Sequence, residues 1–589
     1  MKIKHLFGLA VIAAMTASCS SNEDLGTAGP GTGTNEAGVS YASITINLPT
    51  ANGTRAQNDQ FAGGTASEYA VNDATLLIFE EDGSSENDYK FVEQASLGNL
   101  EPWKKDNTDN NGITTEATIT AELKNAKVGN NNYYALVILN NKDKNDAEKV
   151  TLPTGTTTYG AWNVAATEKN LVDNTYGFYM ANAPEFQTTG AEPTTLVKIQ
   201  GIYRTKEEAH SKPGTTVHVE RGLAKVTVGS NSSSDYFATD GAPVTENKYK
   251  NDVVRITNWA LDVTNKKSFP VHVTSGLKAG LTSTDQTVPA YADIWNDAAA
   301  TIGTAATSRF VSHPATGAFK RVYWGIDPNY SMGLNDLDKC KEQFTIAEAD
   351  VEGNGVTWND GSGSEKPLYC RENTFDIKNM KQGQTTRVLL KATYTPSAVA
   401  TEKDKTFFMI GNSSDIWTVT TLAEQIKSKA EEVLGTTVKV TLNDGIKAAG
   451  THVLDATNVT IKSGEDDKTS EVVGQINTKL GLDANKKIGI KTYKNGESYY
   501  IARIKHFGDD LTPWNAGEET YGTNNEKYLG RYGVLRNNWY DLTINKISGP
   551  GYPDVPEVDP KSPDDEDTKY INVEVKILDW AKRSQSWDL

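Results

Sequence analysis

Apolar residues in this chain recur mostly at every second position, in short runs closed by turn formers. Near the front, Ala42, Ile44, Ile46 and Leu48 alternate with Ser43, Thr45 and Asn47 in "YASITINLP". Near the end, Ile571, Val573, Val575 and Ile577 alternate with Asn572, Glu574 and Lys576. A period of two places one set of side chains on one face of a pleated strand, so each run predicts a half-buried β-strand that needs a sheet to join. "ATLLIFEEDG" and "YYALVILNN" are apolar almost throughout and end in turn residues, as central sandwich strands do. The final strand poses a question. It follows "SGPGYPDVPEVDPKSPDDEDT", whose Pro, Gly and acids predict an extended, self-repelling segment, and nothing adjacent offers a partner.

At 589 residues, with 37% apolar content and much Thr, Asn, Gly and Tyr, the chain predicts a mainly β protein of more than one domain. Two β-sandwich domains are expected, one over 56–214 and one over 215–548. The second opens where the pattern restarts in "TTVHVERGLAKVTVGS", and "VVRITNWALDV" and "TTRVLLKATYTP" supply further strands. A small helical insertion is expected at about 410–490. Its main helix is "TLAEQIKSKAEEVL", 421–434, with Thr421 and Glu424 as a capping box and Gly435 as the stop. A weaker helix is expected from Ser470 to Leu480. Residues 549–568 read as an acidic, Pro-rich linker and 569–589 as a C-terminal strand. No internal repeat is visible.

Residues 1–18 read as a secretory signal, with Lys2 and Lys4 ahead of a short apolar stretch from Leu6 to Ala14. Small residues then precede Cys19, which resembles the acylated cysteine of a lipoprotein signal, although Thr16 stands where Leu is usual. An ordinary signal peptide that contains a Cys is the alternative. "SSNED" after it resembles the acidic export tag of some Bacteroidota surface lipoproteins. Residues 20–38 are a Gly-rich tether. No other stretch approaches 18 apolar residues, so membrane attachment through lipid is expected. Cys340 and Cys370 either pair in one disulfide, stabilising by roughly 3 kcal/mol, or stay as two buried thiols.

The formal charge of −17 with no long Lys/Arg block disfavours nucleic-acid binding and suits a soluble surface protein. Seven histidines, none at i,i+4 spacing, give no zinc site. HExxH, GxSxG, P-loop and GxGxxG motifs are all absent. "NTDNNG" at 107–112 and "DVEGNG" at 350–355 imitate the start of an EF-hand loop. Thr118 and Gly361 stand where the bidentate Glu is required, so a turn-rich surface loop is the simpler reading of each. Trp514, Trp539 and Tyr540 are candidates for a glycan surface, with a core role the simpler expectation. No enzyme, cofactor or metal is expected.

"VERGLAKVTV", "LYCRENTFD", "VLRNNWYDLTINKISGPGYP" and "YINVEVKILDWAKRSQSWDL", in that order around the acidic linker, resemble the fimbrillins, subunits of Bacteroidota type V pili. The order is that of the major (shaft) subunits of short fimbriae. The resemblance is dense over 531–589 and patchy before, and the 410–490 insertion departs from it. It implies transthyretin-like sandwiches and an outer-membrane lipoprotein precursor. It implies cutting by a trypsin-like surface protease after an Arg in the loop behind the first strand, here Arg55–Ala56. Loss of the segment carrying Ala42, Ile44, Ile46 and Leu48 would open a groove. The strand of Ile571, Val573, Val575 and Ile577 from another copy would fill it. The partners implied are further copies, anchor and tip fimbrillins, and the protease. The alternatives are a monomeric glycan-binding surface lipoprotein and a minor tip or anchor subunit.

Overall fold

A computed structural model describes residues 38–48, 66–98, 116–141, 149–165, 172–173, 176–185, 193–244, 247–274, 322, 324–349, 351–363, 366–507, 529–564 and 571–579. It is mainly β, with several sheets and few helices among the described residues. The first unit holds an eight-stranded sheet. Along its hydrogen-bonded path lie Lys90–Ser96, Ala74–Glu80, Tyr133–Leu139, Met180–Asn182, Thr215–Arg221, the first strand Ser40–Asn47, and Glu116–Leu123, while Val197–Lys198 pairs with Tyr133–Leu139. The strand Thr215–Arg221 links two parts of this sheet. Its Thr215–His218 half pairs in parallel with Ile44–Asn47, and its Val219–Arg221 half pairs antiparallel with Met180–Asn182. Ile44, Ile46, Ile119 and Val217 from one part share a core with Leu76, Ile78, Leu136 and Ile138 from the other. The near-continuous apolar runs are the interior strands, as their composition predicts.

The second unit is a sandwich of two four-stranded sheets. One runs Leu368–Arg371, Leu223–Ser230, Asn538–Ile547, Ile571–Asp579, and the other Ala242–Pro243, Val253–Asp262, Arg387–Thr395, Glu497–Arg503. Val226, Val228, Tyr540 and Leu542 from the first meet Ile256, Trp259, Leu390 and Tyr500 from the second in one core. The change of unit falls at Gly222, not at 215. "TTVHVER" still completes the first sheet, and only Leu223 onward joins the second. Both halves of "TTVHVERGLAKVTVGS" carry strand signals, and local pattern does not say which sheet each one joins.

The insertion is a folded module with its own core of Phe408, Leu422, Ile426, Ala430, Ile461 and Ile476. It is less purely helical than expected. Helices Val419–Leu434 and Thr469–Lys479 pack with two three-stranded sheets. The first helix is capped by Thr418, boxed with Thr421 rather than by Thr421 with Glu424. Thr418 keeps an extended backbone, so Thr421 falls at the third helical position, where the reciprocal bond is made. Gly435 ends this helix in the left-handed conformation.

Cys340 and Cys370 form no disulfide. Cys340 lies with Val263, Phe344, Ile346 and Val558, whereas Cys370 lies opposite Ala224 in the second sandwich. Burial pushes their thiols up to about 11 and about 12, so both stay protonated at neutral pH.

A buried ionic cluster joins the two units. Glu68, in the short turn Ala66–Tyr69, accepts from Lys225 Nζ at 2.8 Å and from the Tyr369 hydroxyl at 2.7 Å. Arg221 donates from Nε to the Glu68 carbonyl at 2.8 Å and stacks over the Tyr69 ring at 4.5 Å.

Candidate strand-exchange site

The first strand is an interior strand, held on both sides. Its Ile44–Asn47 stretch pairs in parallel with Thr215–His218, and all eight of its residues pair antiparallel with Glu116–Leu123. Ala42, Ile44, Ile46 and Leu48 are all buried in the first core, as their alternation predicts. Thr45 and Thr118 share a hydroxyl contact of 2.9 Å, and the Ser40 hydroxyl donates to the Ala126 carbonyl at 2.7 Å. Gly214 allows the close approach, since a Cβ there would lie 2.4 Å from Thr45 Oγ1. Glu116–Leu123 ends the sheet and pairs with no strand but the first among the described residues. Removing Ser40–Asn47 would therefore leave a slot one strand wide between Glu116–Leu123 and Thr215–Arg221, floored by the apolar core.

The last strand, Ile571–Asp579, pairs antiparallel with Asn538–Ile547 at the rim of the second unit's sheet. Ile571, Val573, Val575 and Ile577 stand opposite Ile547, Ile544, Leu542 and Tyr540, buried residues of a partner strand whose register shifts by one between Ile544 and Lys546. One edge of this strand carries no partner among the described residues. Backbone pairing at the rim of its own sheet thus answers where the strand finds a sheet within the single chain.

The segment before it does not reach outward as the sequence predicts. Residues 549–564 lie against the second unit as a strap. Tyr552 exchanges two backbone hydrogen bonds with Tyr499, at 2.7 and 2.9 Å, and the Tyr493 hydroxyl donates to the Gly551 carbonyl at 2.7 Å. A Cβ at 551 would meet the Tyr499 carbonyl oxygen at 2.0 Å, which explains the glycine. Val555 and Val558 are buried. Arg387 pairs through Nε with Asp262 at 2.8 Å and donates from Nη2 to the Pro556 carbonyl at 3.0 Å. Arg503 Nε meets Asp564 at 3.0 Å with both side chains buried. Burial pushes the Asp564 carboxyl up, while Arg503 works against that shift. Of the acidic segment, the residues between strap and strand are 565–570, which span at most about 3.6 Å each.

Sequence reasoning missed Arg387, Arg503, Asp262 and Asp564. Their available signal is an arginine in each of two strongly apolar strands, "RVLLKATYT" and "ESYYIAR". Cys19, Arg55 and Ala56 lie outside the described residues, as do Trp514 and the 107–112 loop. Trp539 and Tyr540 belong to the interior. The Trp539 indole donates to Thr227 at 2.7 Å under the Lys225 ammonium, and the Tyr540 hydroxyl accepts from the Leu535 N–H at 2.8 Å. The described part of the 350–355 loop closes on itself through Asn354 and the Glu348 carbonyl. Among the described residues no cluster of His, Cys, Asp and Glu suits a metal ion. No helix among them is long and apolar enough to cross a membrane.

The paired sheet rim, strap and last strand coincide with one family. Residues 491–586 match the family model of the major fimbrial subunit protein type IV, fimbrillin, C-terminal. This is a class of structural, non-enzymatic surface proteins. The C-terminal part of the chain is thus similar to the C-terminal part of fimbrillins, the subunits of fimbriae. No curated protein matches the chain. Among solved structures, it is similar to a fimbrilin from Porphyromonas gingivalis W83 at 10% identity and TM-score 0.35, over 92% of this chain and 99% of that one. It is also similar to the tip fimbrial protein Mfa3 from Porphyromonas gingivalis, at 10% identity and TM-score 0.27, over 92% and 100%. Likenesses this loose carry no argument about this chain.

Proposed function

We propose that this chain is a fimbrial shaft subunit that polymerises by protease-triggered exchange of strands and so supports attachment and biofilm formation. The precursor is carried to the surface as a lipoprotein acylated at Cys19. A trypsin-like protease cuts after Arg55, the segment with Ala42, Ile44, Ile46 and Leu48 departs, and the last strand of another copy takes its slot. The observation that carries this reading is the position of Ser40–Asn47. It is an interior strand with both edges paired, yet it precedes the rest of its unit in sequence, so one cut behind it makes it removable.

The match in kind supports the exchange. The departing strand has 8 residues and the incoming one 9. The incoming Ile571, Val573, Val575 and Ile577 are bulkier overall than Ala42, Ile44, Ile46 and Leu48. Each large aliphatic buried contributes about 1.5–3 kcal/mol, and strand addition to an open edge is a general recognition mode. A head-to-tail contact that does not close builds a filament. Before assembly the last strand rests on Asn538–Ile547, where it shields its own sheet rim.

Trypsin-like digestion of the purified precursor tests the scheme. The expected products begin at Ala56 and give ladders that survive mild heating on denaturing gels. A chain truncated after Thr568 is expected to be cut but to remain monomeric, and long polymers from it would rule the exchange out.

A further inference from the structure

The proposed exchange leaves one wall of the slot without a sheet to belong to. Thr215–Arg221, on one side, keeps its antiparallel pairing with Met180–Asn182 when the first strand departs. Glu116–Leu123, on the other side, pairs among the described residues with the first strand alone. The ladder that fixes its position therefore leaves with Ser40–Asn47. So do the Thr45–Thr118 contact and the bond from the Ser40 hydroxyl to the Ala126 carbonyl. A wall that drifts out of register is no template, because a slip of one residue turns every side chain to the other face. What stays is the apolar file Ala117, Ile119, Ala121 and Leu123, buried in the first core, together with a carboxylate at the wall's end.

That carboxylate is Glu93, on the buried face of Lys90–Ser96 with Ala95. Its Oε2 accepts the Lys124 N–H at 2.8 Å, and its Oε1 accepts the Asn125 and Ala126 N–H groups at 2.8 and 2.7 Å. These residues directly follow Leu123, so charge-assisted bonds grip the chain where the wall ends. The next N–H, of Lys127, makes a longer bond of 3.3 Å to the Tyr133 hydroxyl. Lys90–Ser96 pairs with Ala74–Glu80, in the part of the sheet that the cut leaves whole, so this grip does not leave with the first strand. We infer that Glu93 is a positioning residue for strand exchange: it holds the wall Glu116–Leu123 in register after the first strand has gone, so that the slot accepts the last strand of another copy. The inference rests on the exchange reading given above. A carboxylate that merely stabilised a turn would matter equally before and after the cut. Glu93 matters most after it, when the ladder with the first strand no longer shares the task.

The test compares the full-length precursor with Glu93→Gln and Asn141→Ala, each melted uncut and then followed for polymer growth after trypsin-like cutting. Glutamine keeps the shape, but its amide nitrogen must face a backbone N–H that the carboxylate accepts. Asn141 bonds twice to Val150, at 2.7 and 2.9 Å, and neither residue lies on a wall of the slot, so this variant controls for general loss of stability. Both variants are expected to melt below the unaltered chain. Polymer growth should slow about tenfold or more for Glu93→Gln alone, because the fraction of cut subunits with an ordered wall falls. A Glu93→Gln rate equal to that of the unaltered chain, or slowed no more than Asn141→Ala at a matched loss of melting temperature, overturns the assignment and leaves the exchange scheme standing. A cut unaltered chain that forms no polymer overturns both. Hydrogen exchange needs no variant: in the unaltered chain, cut at low concentration before polymer forms, the amides of 124–126 should stay protected, and exchange at the unprotected rate overturns the assignment.

Discussion

Asp327 is a buried carboxyl whose chemistry can be followed directly in solution. Its Oδ1 accepts the Asn329 N–H and its Oδ2 the Thr374 N–H, each at 2.6 Å. Burial outweighs both donors and pushes its pKa up to about 8. The folded value lies above the unfolded one of about 3.9. Its contribution to stability is therefore complete below about pH 4 and is lost as pH rises through 8. Urea unfolding across that window is expected to show stability falling by up to about 1.4 kcal/mol per pH unit from this group. Asp327→Asn should flatten that slope, and an unaltered slope would assign it elsewhere. Glu68 illustrates a different use of a buried charge. It accepts both Lys225 and Tyr369, and so ties the turn Ala66–Tyr69 to strands of the second unit.

At the scale of elements, the first strand is where folding of the uncut chain and the proposed exchange can be told apart. In the uncut chain it completes the first core, and Ile46→Ala is expected to lower unfolding stability by about 2–5 kcal/mol. Under the proposed scheme the same residue is gone from the assembled form. Polymer made from cut Ile46→Ala protein should therefore dissociate at the same temperature as polymer from the unaltered chain. Comparing melting of the uncut protein with dissociation of the polymer checks this. Equal losses in both would place the strand in the mature subunit. Length and alternation made both terminal strands legible, because the period of side chains along a strand is a local property. The helix Val419–Leu434 was legible for the same reason, and its cap was misread by three residues because two neighbouring threonines satisfy the same local pattern.

For the whole molecule, the strap decides where the last strand would leave the second unit under the proposed scheme. With 549–564 packed on that unit, the point of departure is Asp564 rather than Ser548. Asp564→Ala leaves Arg503 buried without that carboxylate, a change that typically costs about 3–5 kcal/mol. It is expected to loosen the strap, read as faster protease cleavage within 549–564 by mass spectrometry, with the first unit unaffected. A cleavage pattern identical to the unaltered protein would show that the anchor lies elsewhere along the strap. The resting position of the last strand on Asn538–Ile547 belongs to this scale as well, since it pairs two segments separated by the whole strap.

The sequence by itself determined several of the longer strands, where the insertion lies, and that two apolar ribbons of similar length stand near the two ends of the given sequence. Only the tertiary structure decided that Thr215–Arg221 closes the first sheet, that Cys340 and Cys370 lie in different clusters, and that an acidic, proline-rich segment is packed. Periodicity reports how a residue sits relative to its neighbours in the chain. Val555, Val558 and Asp564 have no period, because their partners are Arg387, Arg503 and a core surface brought together by folding. Such contacts are set by the shape of the assembled sandwich, which no local pattern encodes.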